Sequence, residues 1–109
     1  MVLRAQIPAP AFKNNLERSY AGLLELRKRA GEVALWEYEK VGFKLANGCF
    51  FYPDFMVVLA NGEVQFHETK GFMREDAAVK LKVFAEMFPF TLILVRKEGK
   101  TFKSTRISQ

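Results

Sequence analysis

Two stretches of the chain carry the residue types that phosphate chemistry needs, Tyr52-Pro53-Asp54 and His67-Glu68-Thr69-Lys70-Gly71. Side chains alternate faces along a strand, so Val64, Phe66, Glu68 and Lys70 share one face while Gln65, His67 and Thr69 point the other way. Between the two stretches lies Asn61-Gly62, a strong hairpin signal because both residues accept the positive φ that a two-residue turn demands. The returning strand runs antiparallel and brings Asp54 alongside Glu68 and Lys70. Two carboxylates and an ammonium then converge. A hard divalent cation such as Mg²⁺ prefers carboxylate oxygens and retains several waters. One Asp, one Glu and a nearby backbone carbonyl can therefore hold it and leave room for a phosphate oxygen. Such an ion activates water and neutralises charge on a phosphate.

Other reactive residue types point elsewhere. His67 is the sole histidine, and its alternation places it opposite Glu68 and Lys70, so it is expected half-buried beneath a helix rather than in acid–base work. A lone Cys49 cannot form an internal disulfide, and one Cys with one His makes no zinc ligand set. A reducing, intracellular setting is expected. No apolar run approaches the roughly 18 residues of a membrane span, and Pro8 and Pro10 interrupt the N-terminal stretch where a signal peptide would need an apolar block.

Positioning these groups takes one domain. The chain has 109 residues, 50% hydrophobic and 27% charged, a globular composition with eleven Phe to fill the core. Residues 1–11, short and Pro-bearing, are expected to form an extended arm before a domain over 12–109. Phe12, Leu16, Tyr20, Leu23 and Ala30 fall on one stripe and predict a helix from Phe12 to Ala30, stopped by Gly31. Asn47-Gly48 and Asn61-Gly62 then divide three antiparallel strands, expected near Ala34–Leu45, broken around Gly42, Cys49–Leu59 and Glu63–Lys70. Pro53 fits only near a strand start, edge or bulge. A second helix over Glu75–Met87 is expected from Ala77, Leu81, Phe84 and Phe88, with Pro89 ending it. Thr91–Val95 reads as a strand, and Thr101–Ile107 can add an edge strand in the polar tail. The predicted order is α-β-β-β-α-β. Trp36 and Tyr38 are expected in the core rather than stacked on bases.

Seventeen Lys and Arg against twelve Asp and Glu give a net charge of +5, so nucleic acid is the leading partner class. Arg27, Lys28 and Arg29 cluster near the end of the first helix and, with Lys13, Arg18, Arg74 and Lys97, can form a cationic rim. Lys80 borders the apolar stripe of the second helix and can lean toward the metal site, and Lys82 projects further outward as a phosphate contact; both are candidate nucleic-acid contacts.

Pro53-Asp54 followed by Glu68-Thr69-Lys70 resembles the signature of the PD-(D/E)XK nuclease superfamily, and the α-β-β-β-α-β order is similar to its core. Asn15-Leu16-Glu17 through Tyr20, Glu25 to Glu32, Lys70-Gly71-Phe72 and Lys80-Leu81-Lys82 resemble small phage and prophage endonucleases of the Holliday-junction resolvase type. This likeness covers roughly residues 14–96. It implies an α/β (α+β) restriction-endonuclease-like domain with a mixed central sheet flanked by helices. It also implies a Mg²⁺- or Mn²⁺-dependent hydrolase of branched or junction DNA, serving DNA recombination in the cytoplasm of a bacterial host. Under it Asp54 and Glu68 ligate the metal with the Thr69 main-chain carbonyl, Lys70 positions the attacking water, and Glu17 is the acid of the first helix. Helix geometry agrees on Glu17, which at about 100° per residue lies beside the stripe of Leu16, Tyr20 and Leu24, with Glu25 on the far side. Paired cuts across a nearly symmetric junction imply a homodimer. A non-cleaving nucleic-acid-binding module and a flap or single-strand nuclease are the alternative readings.

Overall fold

Ten elements follow in order: β1 (Val2–Leu3), α1 (Asn15–Arg29), β2 (Val33–Tyr38), β3 (Val41–Ala46), β4 (Cys49–Phe51), β5 (Phe55–Leu59), β6 (Val64–Thr69), α2 (Glu75–Met87), β7 (Thr91–Glu98) and β8 (Thr101–Arg106). They come from a computed structural model that describes residues 2–3 and 12–107. A five-stranded sheet runs β2-β5-β6-β7-β8, and a three-stranded one β1-β3-β4. Among the described strands only the β6–β7 pair is parallel, because α2 supplies the crossover that a parallel connection requires. The described residues therefore form a mixed α+β domain with two helices.

α1 starts three residues later than its periodicity predicts. The Asn14 side chain accepts the Glu17 N–H at 2.8 Å and fixes the first turn there, leaving Phe12 outside the helix. Gly31, at φ 84°, terminates it as expected. The buried stripe is Glu17, Tyr20, Ala21 and Leu24, whereas Leu16 and Leu23 are half-buried and Ala30 is exposed. α2 has the expected bounds and buries Leu81 and Phe84.

Two long strands of the sequence reading prove to be four short ones. Ala34–Leu45 breaks at Glu39-Lys40, not at Gly42, with Glu39 in the left-handed region at φ 47°. Gly42 lies within β3, where a Cβ would overlap the Tyr52 ring, so its role is close packing. Cys49–Leu59 breaks at Tyr52-Pro53-Asp54, where the chain leaves the smaller sheet and joins the larger. Pro53, which has no N–H to donate, sits in that gap. The Asn61-Gly62 hairpin forms as expected, with Gly62 at φ 91° and β5 paired antiparallel to β6. Val2–Leu3 pairs with β3, so the N-terminal stretch is not wholly a bare arm; residues 4–11 of that expected arm lie outside the described residues.

The larger sheet separates two apolar clusters. Phe43, Phe51, Phe66, Phe84, Leu81 and Leu92 pack together on the α2 side. Tyr20, Leu24, Val33, Phe55, Val57 and Val95 pack on the α1 side. Of the eleven Phe only Phe72 is exposed, at 81%.

Candidate active site

The β5–β6 register pairs Phe55 with His67, so the next step along each strand sets Asp54 beside Glu68. Contacts between the two are direct. The Asp54 backbone N–H donates to Glu68 Oε1 at 2.9 Å, and the Thr69 N–H and hydroxyl both donate to Asp54 Oδ2, at 2.9 and 2.8 Å. Lys70 Nζ lies 3.0 Å from Glu68 Oε2, which keeps the two side chains on one face as alternation requires. Asp54, Glu68 and Thr69 are all buried, while Lys70 keeps about a quarter of its side chain in solvent.

Glu17 reaches this corner from the first turn of α1. Its Oε1 accepts the Tyr38 hydroxyl at 2.5 Å and the Lys13 N–H at 3.1 Å, and only 4% of the residue is exposed. Glu39 belongs here too. Its N–H donates to the Asp54 carbonyl at 2.8 Å, and its carboxylate pairs with Lys13 Nζ at 2.5 Å. The run Glu37-Tyr38-Glu39-Lys40, polar residues closing an apolar strand, was the available signal for a turn there, but spacing alone did not tie it to Asp54.

Burial and crowding dominate the electrostatics. Desolvation first, then the Glu68 charge, pushes the Asp54 carboxyl up to about 7, against the pull of the Thr69 donors. Burial likewise raises Glu68, with Lys70 opposing. Burial and the Glu17 carboxylate push the Tyr38 phenol up, while the Glu39 carboxylate raises Lys13. When all are ionised, the four carboxylates Glu17, Glu39, Asp54 and Glu68 face two ammonium groups, Lys13 and Lys70. Two negative charges are left over.

That surplus fits a bound divalent cation. No three acidic, His or Cys side chains among the described residues converge on one point, so the site is not a complete protein cage. A hard cation that keeps most of its waters does not require one, and Asp54 with Glu68 supplies the anionic oxygens it prefers. Thr69 contributes its amide and hydroxyl to Asp54, a holding role added to the carbonyl contact expected of it.

His67 is fully buried, not half-buried, at 3% exposure beneath α1. Its Nδ1 lies 2.6 Å from the Tyr20 hydroxyl and its Nε2 2.9 Å from Gln65 Oε1. Since Gln65 Oε1 can only accept, Nε2 carries the proton and Nδ1 accepts from Tyr20, giving a neutral imidazole. Burial lowers it to about 4, and Arg27 adds to the effect. It stands apart from the carboxylate pair.

The basic residues divide. Arg27, about 15 Å along α1 from Glu17 at 1.5 Å per residue, is half-buried against Tyr20 and pairs with Glu32 at 3.5 Å. Arg29 approaches Glu25 at 3.9 Å, and Lys28 is exposed on the same turn. Lys80 donates to the Phe50 carbonyl at 3.2 Å, which holds it over β4. Lys82 and Arg74 are exposed, Lys82 beside Glu86 and Ile107 and Arg74 at the start of α2. Trp36 is half-buried and donates to Glu25 Oε1 at 3.0 Å.

Comparisons with family models, with curated proteins and with solved structures find no match for this chain. No helix among the described residues is long and apolar enough to cross a membrane.

Proposed function

We propose that this chain is a metal-dependent endonuclease that hydrolyses phosphodiester bonds in branched or structured DNA, built on a PD-(D/E)XK, restriction-endonuclease-like core. In this reading it works as a homodimer in the cytoplasm of a bacterial host that carries it as a phage or prophage gene. The observation that carries the proposal is the buried pair Asp54 and Glu68, joined through the Asp54 amide, with Lys70 on the Glu68 carboxylate. Buried acids pushed up by desolvation and by a neighbouring carboxylate are costly to a fold, and such clusters concentrate where chemistry is done.

Asp54 and Glu68 would hold Mg²⁺ or Mn²⁺, which supplies an acidified water and charge neutralisation on the phosphate. The chain's own groups do the rest. Lys70, tethered to Glu68 yet partly open to solvent, meets an arriving phosphate and offsets negative charge developing on it. Thr69 fixes the Asp54 carboxylate through two donors, so its free oxygen is aimed before substrate arrives. Glu17, locked by Tyr38 and Lys13, adds negative field at the edge and tightens the requirement for a cation.

The test is a panel of labelled four-way junction, fork, flap, duplex and single-stranded DNA, incubated with Mg²⁺, with Mn²⁺ and with chelator. Metal-dependent cutting that favours the branched substrates is expected. Binding without cutting under every metal would refute the enzyme and favour a non-cleaving module. Cutting of flap or single strand alone would refute the junction preference.

A further inference from the structure

The β7–β8 hairpin carries most of the chain's net charge. Arg96, Lys97, Lys100, Lys103 and Arg106 face a single acid, Glu98, leaving +4 of the total +5 within eleven residues. Every residue from Arg96 to Arg106 is exposed except the half-buried Phe102. Such a run need not concern the candidate site, since charged hairpins commonly serve only solubility. Its register shows that it does.

β6 and β7 run parallel, with Glu68 paired to Leu94 and Thr69 to Val95, and the Lys70 N–H continues the ladder to the Val95 carbonyl at 3.0 Å. One further step sets Lys70 beside Arg96. Across the next strand Arg96 pairs directly with Lys103. Arg96 lies two residues beyond Leu94, which packs with Phe66 on the α2 side, and Glu68 and Lys70 follow Phe66 at the same period. Lys70, Arg96 and Lys103 thus form one row of cations on one face across three strands. At about 4.8 Å per strand the row extends roughly 10 Å from Lys70.

Like charges directly opposite in a sheet destabilise it. No ion pair joins Arg96 or Lys103 to an acid among the described residues. The arrangement becomes favourable when a polyanion lies across it, and the row leads to the residue that faces the phosphate in the proposed reaction. We infer that the β7–β8 hairpin is a nucleic-acid backbone track, in which Arg96 and Lys103 grip phosphates next to the one at Lys70. The recognition is of phosphodiester charge and not of base sequence. This inference rests on the nuclease reading for its polarity toward the site.

The test is DNA binding in chelator across a salt series. Each phosphate contact contributes a slope of about −0.9 to log affinity against log salt for duplex DNA. Arg96→Gln with Lys103→Gln should therefore flatten the slope by about 1.8, so the affinity lost between 50 and 200 mM salt becomes about 12-fold smaller. Lys28→Gln with Arg29→Gln, removing the same charge far along α1, should flatten the slope by less than the hairpin pair does, and Arg96→Lys with Lys103→Arg should retain the wild-type value. Because the altered positions are exposed, circular dichroism should show an intact fold in every variant, with the Arg96→Gln, Lys103→Gln pair melting at or above wild type. Equal flattening by both Gln pairs would mean that net charge alone governs binding and would overturn the track, as would no flattening by either. Hairpin-dependent binding to phosphatidylserine vesicles without DNA binding would also overturn it. Wild-type cleavage is scored separately. A hairpin-dependent slope without cutting sustains the track and sinks the nuclease, and cutting with a hairpin-independent slope does the reverse.

Discussion

Asp54→Asn should stabilise this protein while abolishing its proposed chemistry, by an amount that grows with pH. The Asp54 carboxyl ionises near 7 in the fold against 3.8 as its ordinary value. Between about pH 4 and 7 the unfolded chain has released this proton and the folded chain retains it, so stability falls as pH rises. At 1.36 kcal/mol per pH unit, the penalty removed by Asn is about 2 kcal/mol at pH 5 and about 4 kcal/mol at pH 8, vanishing below about pH 4. Glu68, also raised by burial, acts in the same direction in the wild type. Asn keeps the size of Asp and an oxygen for the two Thr69 donors, so little packing is lost. For a domain of this length, a gain of that order corresponds to a melting temperature roughly 10–15 °C higher at pH 8. Thermal unfolding followed by circular dichroism, in chelator at pH 5 and pH 8, measures it. Equal melting temperatures at pH 8, or a gain from Asn over wild type that does not grow from pH 5 to pH 8, would refute the idea of a desolvated, acid-crowded pair; the wild type's own trend does not decide it, since buried His67, lowered to about 4, pulls the other way.

Millimolar Mg²⁺ at pH 8 should raise the wild-type melting temperature and leave Asp54→Asn unmoved; an equal rise in both places the ion elsewhere. Lys70→Ala should slow single-turnover cleavage of a labelled junction by on the order of 10²-fold or more, the usual cost of losing one charge-stabilising donor, whereas Glu17→Gln should lose less than Asp54→Asn in the same assay. Tyr20→Phe removes the hydroxyl that donates to buried His67 Nδ1 and should cost about 1–3 kcal/mol in denaturant unfolding. No loss there would mean that the imidazole finds another donor. Gly42→Ala should destabilise by more than the few tenths typical of a surface change, because its Cβ meets the Tyr52 ring.

Local chemistry wrote part of this molecule into its sequence. Asn61-Gly62 and Asn47-Gly48 turn the chain by their own backbone preferences, and the period of Leu81 and Phe84 fixes α2, so those elements could be read directly. The approach of Asp54 to Glu68 follows from one of those hairpins and was legible with it. The break at Glu39-Lys40 was less so, because the polar run Glu37-Tyr38-Glu39-Lys40 marks a turn only weakly, a non-Gly residue at positive φ is uncommon, and Gly42 nearby offered a more obvious place. The change of sheet at Pro53 depends on which strands find partners, a tertiary matter. The nearness of Glu39 to Asp54 is tertiary for the same reason, and nothing in the sequence ties Arg27 to Tyr20 and Glu32, because those contacts arise only once α1 is packed.

The gap between β4 and β5 makes one amide a reporter. The Asp54 N–H has no strand partner and is held by a side chain, Glu68 Oε1. Its hydrogen exchange is therefore governed by how often that carboxylate lets go, whereas amides within β5 and β6 exchange only when the ladder opens. Exchange at this single position would follow the ionisation of Glu68 and the arrival of a cation, in the intact protein and without any substrate. It offers a clock for the site that runs independently of the rest of the sheet.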